Sequence, residues 1–88
     1  MTDPDFRNMA ITVVGLGLIG GSFAKALAKL RPRQIWAVDK DEQVLRKAQA
    51  SRIIDEGFTA ADTPLRESDL VILALYPDAT VNFVRQHL

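Results

Sequence analysis

The chain has 88 residues, of which 48% are apolar and 25% are charged, a composition typical of a soluble globular domain. Its 11 basic residues balance its 11 acidic residues and are scattered, which argues against nucleic acid or an anionic membrane as a partner. Cysteine is absent, so disulfides, thiolate metal sites and cysteine nucleophiles are excluded. The start of the chain is polar, and the longest apolar run, residues 70–76, is too short to span a membrane. Cytoplasmic residence is therefore expected.

The first third of the chain predicts a strand, a turn and a helix. Residues 1–8 are expected to form a flexible leader. The apolar run at 9–14 alternates poorly with polar residues, as a strand covered on both faces does. Residues 19–30 have the spacing of an amphipathic helix, which ends near Arg31 because Pro32 follows and disfavours helical angles. The residues expected on the inward face of this helix are Ile19, Phe23, Ala26, Leu27 and Leu30.

The remaining residues continue the alternation. Residues 34–39 predict a second strand, and Asp41 is a good N-cap for a helix that runs to about Arg52. A weak third strand lies within 53–59, and a turn or one-turn helix opens at Thr63 and Pro64. The final elements are a buried strand at 70–75 and a helix that starts at Pro77 and Asp78.

Strands that alternate with helices pair in parallel through right-handed crossovers. The fold class is therefore α/β, a Rossmann-type parallel sheet with helices on both faces. It is partial, because about four strands are found where a complete doubly wound fold has about six. We expect residues 9–88 to be the N-terminal part of a dinucleotide-binding domain, and the chain to be a fragment of a longer protein.

A glycine-rich turn lies between the first predicted strand and the first helix. Gly15, Gly17 and Gly20 fit the pattern G-x-G-x-x-G, which binds dinucleotides when a strand precedes it and a helix follows it. The first glycine permits a tight turn, the second lets a pyrophosphate approach the backbone, and the third lets the helix pack closely on the sheet. The helix N-terminus adds unpaired N–H groups and the positive end of a dipole.

An acidic residue, Asp39, closes the second predicted strand. A carboxylate at this position accepts hydrogen bonds from ribose hydroxyls and repels a 2′-phosphate, so NAD is expected ahead of NADP. NADP remains an alternative cofactor because the neighbouring Lys40 is a cation, and a cation tolerates a 2′-phosphate. The alternative interpretation is an ordinary strand–helix turn with Asp39 as a solvated strand end.

Three further features concern the rest of the site. Leu75, Tyr76 and Pro77 follow the last predicted strand, and ligands of such sheets lie where the strand order reverses, so these residues are expected to line the nicotinamide half of the groove. Tyr76 either packs on the cofactor or caps the core. His87, the only histidine, is interpreted as solvent-exposed, and Trp36 as a core residue. The sequence contains no metal-ligand spacing and no nucleophile–base arrangement.

Four stretches resemble the N-terminal part of the prephenate/arogenate dehydrogenase family. They are VVGLGLIGGSFAKAL, IWAVDKDEQVLRKA, IIDEGFT and ESDLVILALYPDATVNFV. The resemblance covers nearly the whole chain from Met9 onward. The residues that it implies in cofactor binding are Gly15, Leu16, Gly17, Leu18, Ile19, Gly20, Asp39, Lys40, Tyr76 and Pro77.

The resemblance implies an NAD(P)-dependent oxidoreductase of tyrosine biosynthesis, which decarboxylates prephenate oxidatively to 4-hydroxyphenylpyruvate. The substrate would be prephenate or arogenate, and the full-length protein would be a homodimer through a C-terminal helical domain. In the family the catalytic histidine and the basic residues that hold the substrate lie later in the chain, so no catalytic residue is assigned and the 88 residues alone are expected to be inactive. Two alternatives remain: a related dehydrogenase acting on a β-hydroxyacid or imine, and a non-enzymatic domain that senses a dinucleotide.

Overall fold

A computed structural model describes residues 6–75 and 77–87 of the chain. Of the leader predicted at residues 1–8, Phe6–Asn8 form a short 3₁₀-helix, and residues 1–5 lie outside the described residues. The strands are β1 (Ala10–Val14), β2 (Gln34–Val38), β3 (Glu56–Phe58) and β4 (Leu70–Leu73). The helices are α1 (Leu18–Ala28), α2 (Glu42–Ala50), α3 (Asp62–Glu67) and α4 (Pro77–His87).

The four strands form one parallel sheet in the order β3-β2-β1-β4. The chain moves outward from β1 to β3 and then returns to place β4 beside β1. Val14, at the end of β1, is level with Val38 of β2 and with Leu73 of β4. The carboxyl ends of these three strands therefore share one edge, and the strand order reverses between β1 and β4. This confirms the predicted Rossmann-type α/β fold.

Two apolar layers cover the sheet, one on each face. Every residue of β1 is buried, as expected for a central strand covered on both faces. The layer under α1 and α2 consists mainly of Ile11, Val13, Leu16, Ala24, Leu27, Ile35, Ala37, Leu45, Ala48 and Ile54. The opposite layer contains Val14, Val38 and Ala61, with Phe58, Leu65, Val71, Leu73, Leu75 and Phe83 packed against them.

Two local predictions are confirmed by side-chain contacts. Asp41 is the N-cap of α2, and its Oδ1 accepts the N–H of Gln43 at 2.9 Å and that of Val44 at 3.4 Å. Trp36 is a core residue on β2 and packs edge to face on Phe58, with ring centroids 5.3 Å apart. Both contacts fix β2 and α2, the elements that flank Asp39.

The predicted inward face of α1 is wrong at three positions. Phe23 and Leu30 are 49% and 47% exposed, and Ala26 is also exposed. Gly20 and Ala24 face the sheet instead, whereas Leu27 is buried in the core as predicted. The reason is the close approach of the helix to the glycine turn, which requires the side of α1 with the smallest residues to face inward. The side chain of Ile19 lies outside the described residues.

The last strand is shorter and less buried than the sequence predicts. The sequence predicts a buried strand over residues 70–75, whereas β4 ends at Leu73. Leu70 is 37% exposed and the other three residues are half-buried. Within the described part of the chain β4 has a partner on one side only, which accounts for its exposure. None of the described helices has the length and hydropathy that crossing a membrane requires.

Candidate dinucleotide-binding site

The glycine turn begins with a residue that must be glycine. Gly15 has a φ of +93°, a left-handed conformation that L side chains rarely adopt. A Cβ at Gly15 would also lie 2.7 Å from the carbonyl oxygen of Ala74. The N–H of Gly15 donates to the carbonyl of Val38 at 2.7 Å, which ties the start of the turn to the end of β2. The tight turn predicted at this position is therefore present.

Gly20 lets α1 start directly on this turn. A Cβ at Gly20 would overlap the carbonyl oxygen of Gly15 and would lie 3.3 Å from the Cβ of Ala74. The first turn of α1 therefore packs against the end of β1 and against the residue that follows β4. Gly17 differs from both, because it is exposed and a Cβ there would meet nothing within 4 Å. The space beside Gly17 is open to an approaching ligand.

The N-terminus of α1 is suited to an anion. Its N-cap, Gly17, makes no side-chain cap hydrogen bond, and the N–H of Gly21 donates to the carbonyl of Gly17 at 2.8 Å. Helical geometry leaves the N–H groups of the preceding first turn without intrahelical acceptors. These donors and the positive end of the helix dipole lie beside the open space at Gly17, as in phosphate sites at helix N-termini.

Asp39 is half-buried and follows β2 at the same edge of the sheet. Its Oδ2 accepts the N–H of Leu16 in the glycine turn at 2.8 Å, and its Oδ1 accepts the N–H of Asp41 at 2.9 Å. A carboxylate has about four acceptor positions. Each oxygen of Asp39 therefore keeps the capacity to accept a further hydrogen bond, such as one from a ribose hydroxyl.

Sequence reasoning missed the bond between Leu16 and Asp39. An Asp that bonds the N–H two residues on is a familiar local pattern, so the contact with Asp41 has a sequence signal. The contact with Leu16 joins residues 23 positions apart and has no such local signal. The side chain of Leu16 is only 6% exposed and belongs to the core, so any contact of Leu16 with a cofactor would be made by its backbone.

The structure describes only part of the remaining residues that are predicted to bind the cofactor. Leu18 and Ile19 form the first turn of α1 and Pro77 begins α4, but the side chains of these three residues lie outside the described part. Tyr76 lies wholly outside it. Leu75 is half-buried beside the turn, since its Cδ2 would be 2.9 Å from a Cβ at Gly15. Lys40 follows Asp39 in the chain and is exposed.

Two other features of the described residues bear on chemistry. His87 is exposed in the last turn of α4, as predicted, and its ring packs against that of Phe83 with centroids 4.4 Å apart and an interplanar angle of 40°. Within residues 6–75 and 77–87, no three His, Asp or Glu side chains are grouped so that they could hold a metal ion. The described residues that converge at the carboxyl edge of the sheet are suited to binding a nucleotide.

Comparison with known proteins identifies the family. The family model for NADP oxidoreductase, coenzyme F420-dependent, matches residues 10–87. A crystal structure of prephenate dehydrogenase from A. aeolicus, in complex with hydroxyphenyl propionate and NAD+, is similar, with a TM-score of 0.66 and 34% sequence identity. That similarity covers 74% of this chain and 23% of that chain, so this chain spans about a quarter of the length of the solved protein. The predicted resemblance to prephenate dehydrogenase is confirmed, and the chain belongs to the NADP oxidoreductase, coenzyme F420-dependent family as an NAD(P)-binding oxidoreductase domain.

Proposed function

We propose that this chain binds NAD at the glycine turn and is the cofactor-binding part of a prephenate dehydrogenase. The observation that carries the proposal is the arrangement at the carboxyl edge of the sheet. There the uncapped N-terminus of α1, the open space beside Gly17 and the carboxylate of Asp39 lie together. These are a phosphate site and a ribose acceptor in the relation that a dinucleotide requires.

Each part of the cofactor has a partner in this proposal. The pyrophosphate lies beside Gly17 and accepts hydrogen bonds from the first-turn N–H groups of α1, which include those of Leu18 and Ile19. The adenosine ribose donates its hydroxyls to Asp39, whose charge disfavours a 2′-phosphate and favours NAD over NADP. The nicotinamide half extends toward Tyr76 and Pro77, where the strand order reverses. Lys40 borders the ribose and moderates the repulsion by Asp39.

The reaction proposed for the full-length protein is an oxidative decarboxylation. A hydride passes from the ring carbinol carbon of prephenate to NAD+, carbon dioxide leaves, and the products are 4-hydroxyphenylpyruvate and NADH. The name of the solved relative and its hydroxyphenyl propionate ligand support this substrate class. Prephenate or arogenate as substrate, a role in tyrosine biosynthesis, cytoplasmic residence and a homodimer through a further domain belong to the same proposal.

Calorimetric titration of NAD and NADP into the 88-residue chain tests the cofactor part. We expect both to bind, with NAD the tighter ligand. If the chain bound neither NAD nor NADP, the proposal would be overturned. An assay of NADH formation with prephenate and NAD tests the second part, and we expect no turnover, because the chain contributes cofactor-binding residues and no assigned catalytic residue.

A second candidate is a related oxidoreductase that acts on another substrate, such as a β-hydroxyacid or an imine. The observation that favours it is the family description, which names NADP and coenzyme F420. Tighter binding of NADP than of NAD in the same titration would support this candidate. A non-enzymatic dinucleotide sensor would instead bind NAD within a longer protein that oxidises no substrate.

A further inference from the structure

The carboxylate of Asp39 makes two bonds that involve only protein. Oδ2 accepts from Leu16 at 2.8 Å and Oδ1 accepts from Asp41 at 2.9 Å. Bonds of this kind, from a backbone N–H to an ionised carboxylate, are about twice as strong as bonds between neutral groups. The same residue also donates its own N–H to the carbonyl of Phe58 at 3.1 Å, which anchors its backbone to β3. Asp39 is therefore fixed on three sides before it meets any ligand.

One of these bonds holds the glycine turn. The side chain of Leu16 is buried in the core, and its N–H is bonded to Asp39. The preceding N–H, that of Gly15, is bonded to Val38. Two consecutive backbone groups of the turn are thus attached to the end of β2. Their attachment restrains the backbone that leads to Gly17 and the first turn of α1.

The other bond leads to α2. Asp41 accepts the N–H groups of Gln43 and Val44 as the N-cap of that helix, and its own N–H donates to Asp39. A single carboxylate therefore connects the N-termini of α1 and α2, the helices on either side of β2 in the chain. Substitution of Asp39 changes both connections at once.

We propose that Asp39 is a positioning residue that holds the glycine turn in its phosphate-binding conformation. This role is additional to accepting hydrogen bonds from the ribose hydroxyls. The ribose contact rests on the proposed function, whereas the positioning role rests on the bonds to Leu16 and Asp41. The consequence is that cofactor choice and turn geometry are coupled. A substitution at Asp39 that removes the repulsion of a 2′-phosphate also loosens the turn that binds the pyrophosphate, since preorganisation is lost.

Amide hydrogen exchange measured by NMR, without any nucleotide, tests the positioning role. In the wild type we expect the Leu16 amide to be protected from exchange. In Asp39→Ala we expect its exchange to accelerate at least about tenfold more than that of Val13, a neighbouring residue of β1 that reports global unfolding. Equal acceleration of Leu16 and Val13, or no acceleration of Leu16, would overturn the proposal.

Asp55→Ala is the matched control. Asp55 also accepts a backbone N–H, that of Ile35 at 2.7 Å, but at the opposite edge of the sheet. This variant is expected to lower the protection of Ile35 and to leave the ratio of Leu16 to Val13 unchanged. If Asp39→Ala does not fold, wild-type exchange still decides the matter, because an unprotected Leu16 amide contradicts the proposal. Failure of NAD to bind leaves these exchange results unaffected and counts against the proposed function alone.

Discussion

The backbone N–H of Leu16 donates to Oδ2 of Asp39 at 2.8 Å, which joins the glycine turn after β1 to the acidic residue after β2. These two features are usually considered separately, one for the pyrophosphate and the other for the ribose. Here they share a hydrogen bond. If the proposed function holds, the position of the glycine turn and the choice between NAD and NADP depend on the same side chain.

Asp39→Ser is expected to weaken NAD binding and to narrow the preference for NAD over NADP. The variant removes a charged acceptor, and bonds to charged groups contribute about 1.5–3 kcal/mol, so NAD affinity should fall about tenfold or more. NADP should lose less, because its 2′-phosphate no longer meets a carboxylate. Calorimetric titration of both nucleotides into both proteins measures the ratio. An unchanged ratio would remove Asp39 from the ribose site.

Gly17→Ala is expected to abolish most NAD binding while the protein stays folded. A methyl group at residue 17 meets no protein atom within 4 Å and the local φ is −60°, so the fold accepts alanine. The loss of free energy of unfolding should stay below about 1 kcal/mol, the cost of a poorer N-cap. The methyl group occupies the proposed approach of the pyrophosphate, so the NAD dissociation constant should rise about tenfold or more. Unchanged affinity would place the pyrophosphate elsewhere.

Gly20→Ala and Gly21→Ala form a pair that tests the packing of α1. At Gly20 the added methyl group overlaps the backbone oxygen of Gly15, so the free energy of unfolding should fall by about 1–3 kcal/mol or more. At Gly21 the nearest atom is the carbonyl oxygen of Leu16 at 3.7 Å, an ordinary contact. Alanine is a better helix former than glycine, so the free energy of unfolding of Gly21→Ala should rise by about 0.5–1 kcal/mol. Urea denaturation measures the free energy of unfolding of both variants. Similar free energies for the two would contradict the close contact of Gly20 with the backbone of Gly15.

Asp69→Ala is expected to destabilise the fold more than Arg33→Ala, although the two side chains are paired. Oδ2 of Asp69 accepts the N–H of Ala10 at 2.8 Å and so fastens the start of β4 to β1. Loss of this hydrogen bond should lower the free energy of unfolding by about 1–2 kcal/mol. The ion pair with Arg33, at 3.6 Å, joins side chains that are 58% and 51% exposed, so removing the arginine should cost less than about 0.5 kcal/mol. Equal losses in urea denaturation would assign the stabilisation to the ion pair.

The sheet and the glycine turn could be predicted from the sequence because their signals are local. The apolar run of β1, the N-cap Asp41 and the spacing of Gly15, Gly17 and Gly20 each lie within a few residues. The bond between Leu16 and Asp39 could not be predicted in this way. It depends on the parallel pairing of β1 with β2, which brings residues distant in the chain to the same edge.

The face of α1 shows a second limit of sequence reasoning. Apolar periodicity selects the face with the largest apolar side chains, which here includes Phe23 and Leu30. Close contact between helix and turn selects the face with the smallest residues, Gly20 and Ala24. The second requirement prevails, because the overlap of a Cβ with a backbone carbonyl cannot be relieved by a change of rotamer, whereas an apolar side chain can remain partly exposed.

Phe23→Ser and Leu27→Ala test this assignment of the helix face. Phe23 is 49% exposed, and substitutions at exposed positions usually change the free energy of unfolding by no more than about 0.5 kcal/mol. Leu27 is 9% exposed and belongs to the core layer under α1, so its truncation to alanine should cost about 2–4 kcal/mol. Urea denaturation of both variants against the wild type provides the comparison. Leu27 faces inward in both the predicted and the observed assignment, so it serves as the buried reference. A loss for Phe23→Ser as large as that for Leu27→Ala would place Phe23 on the inward face and contradict the observed one.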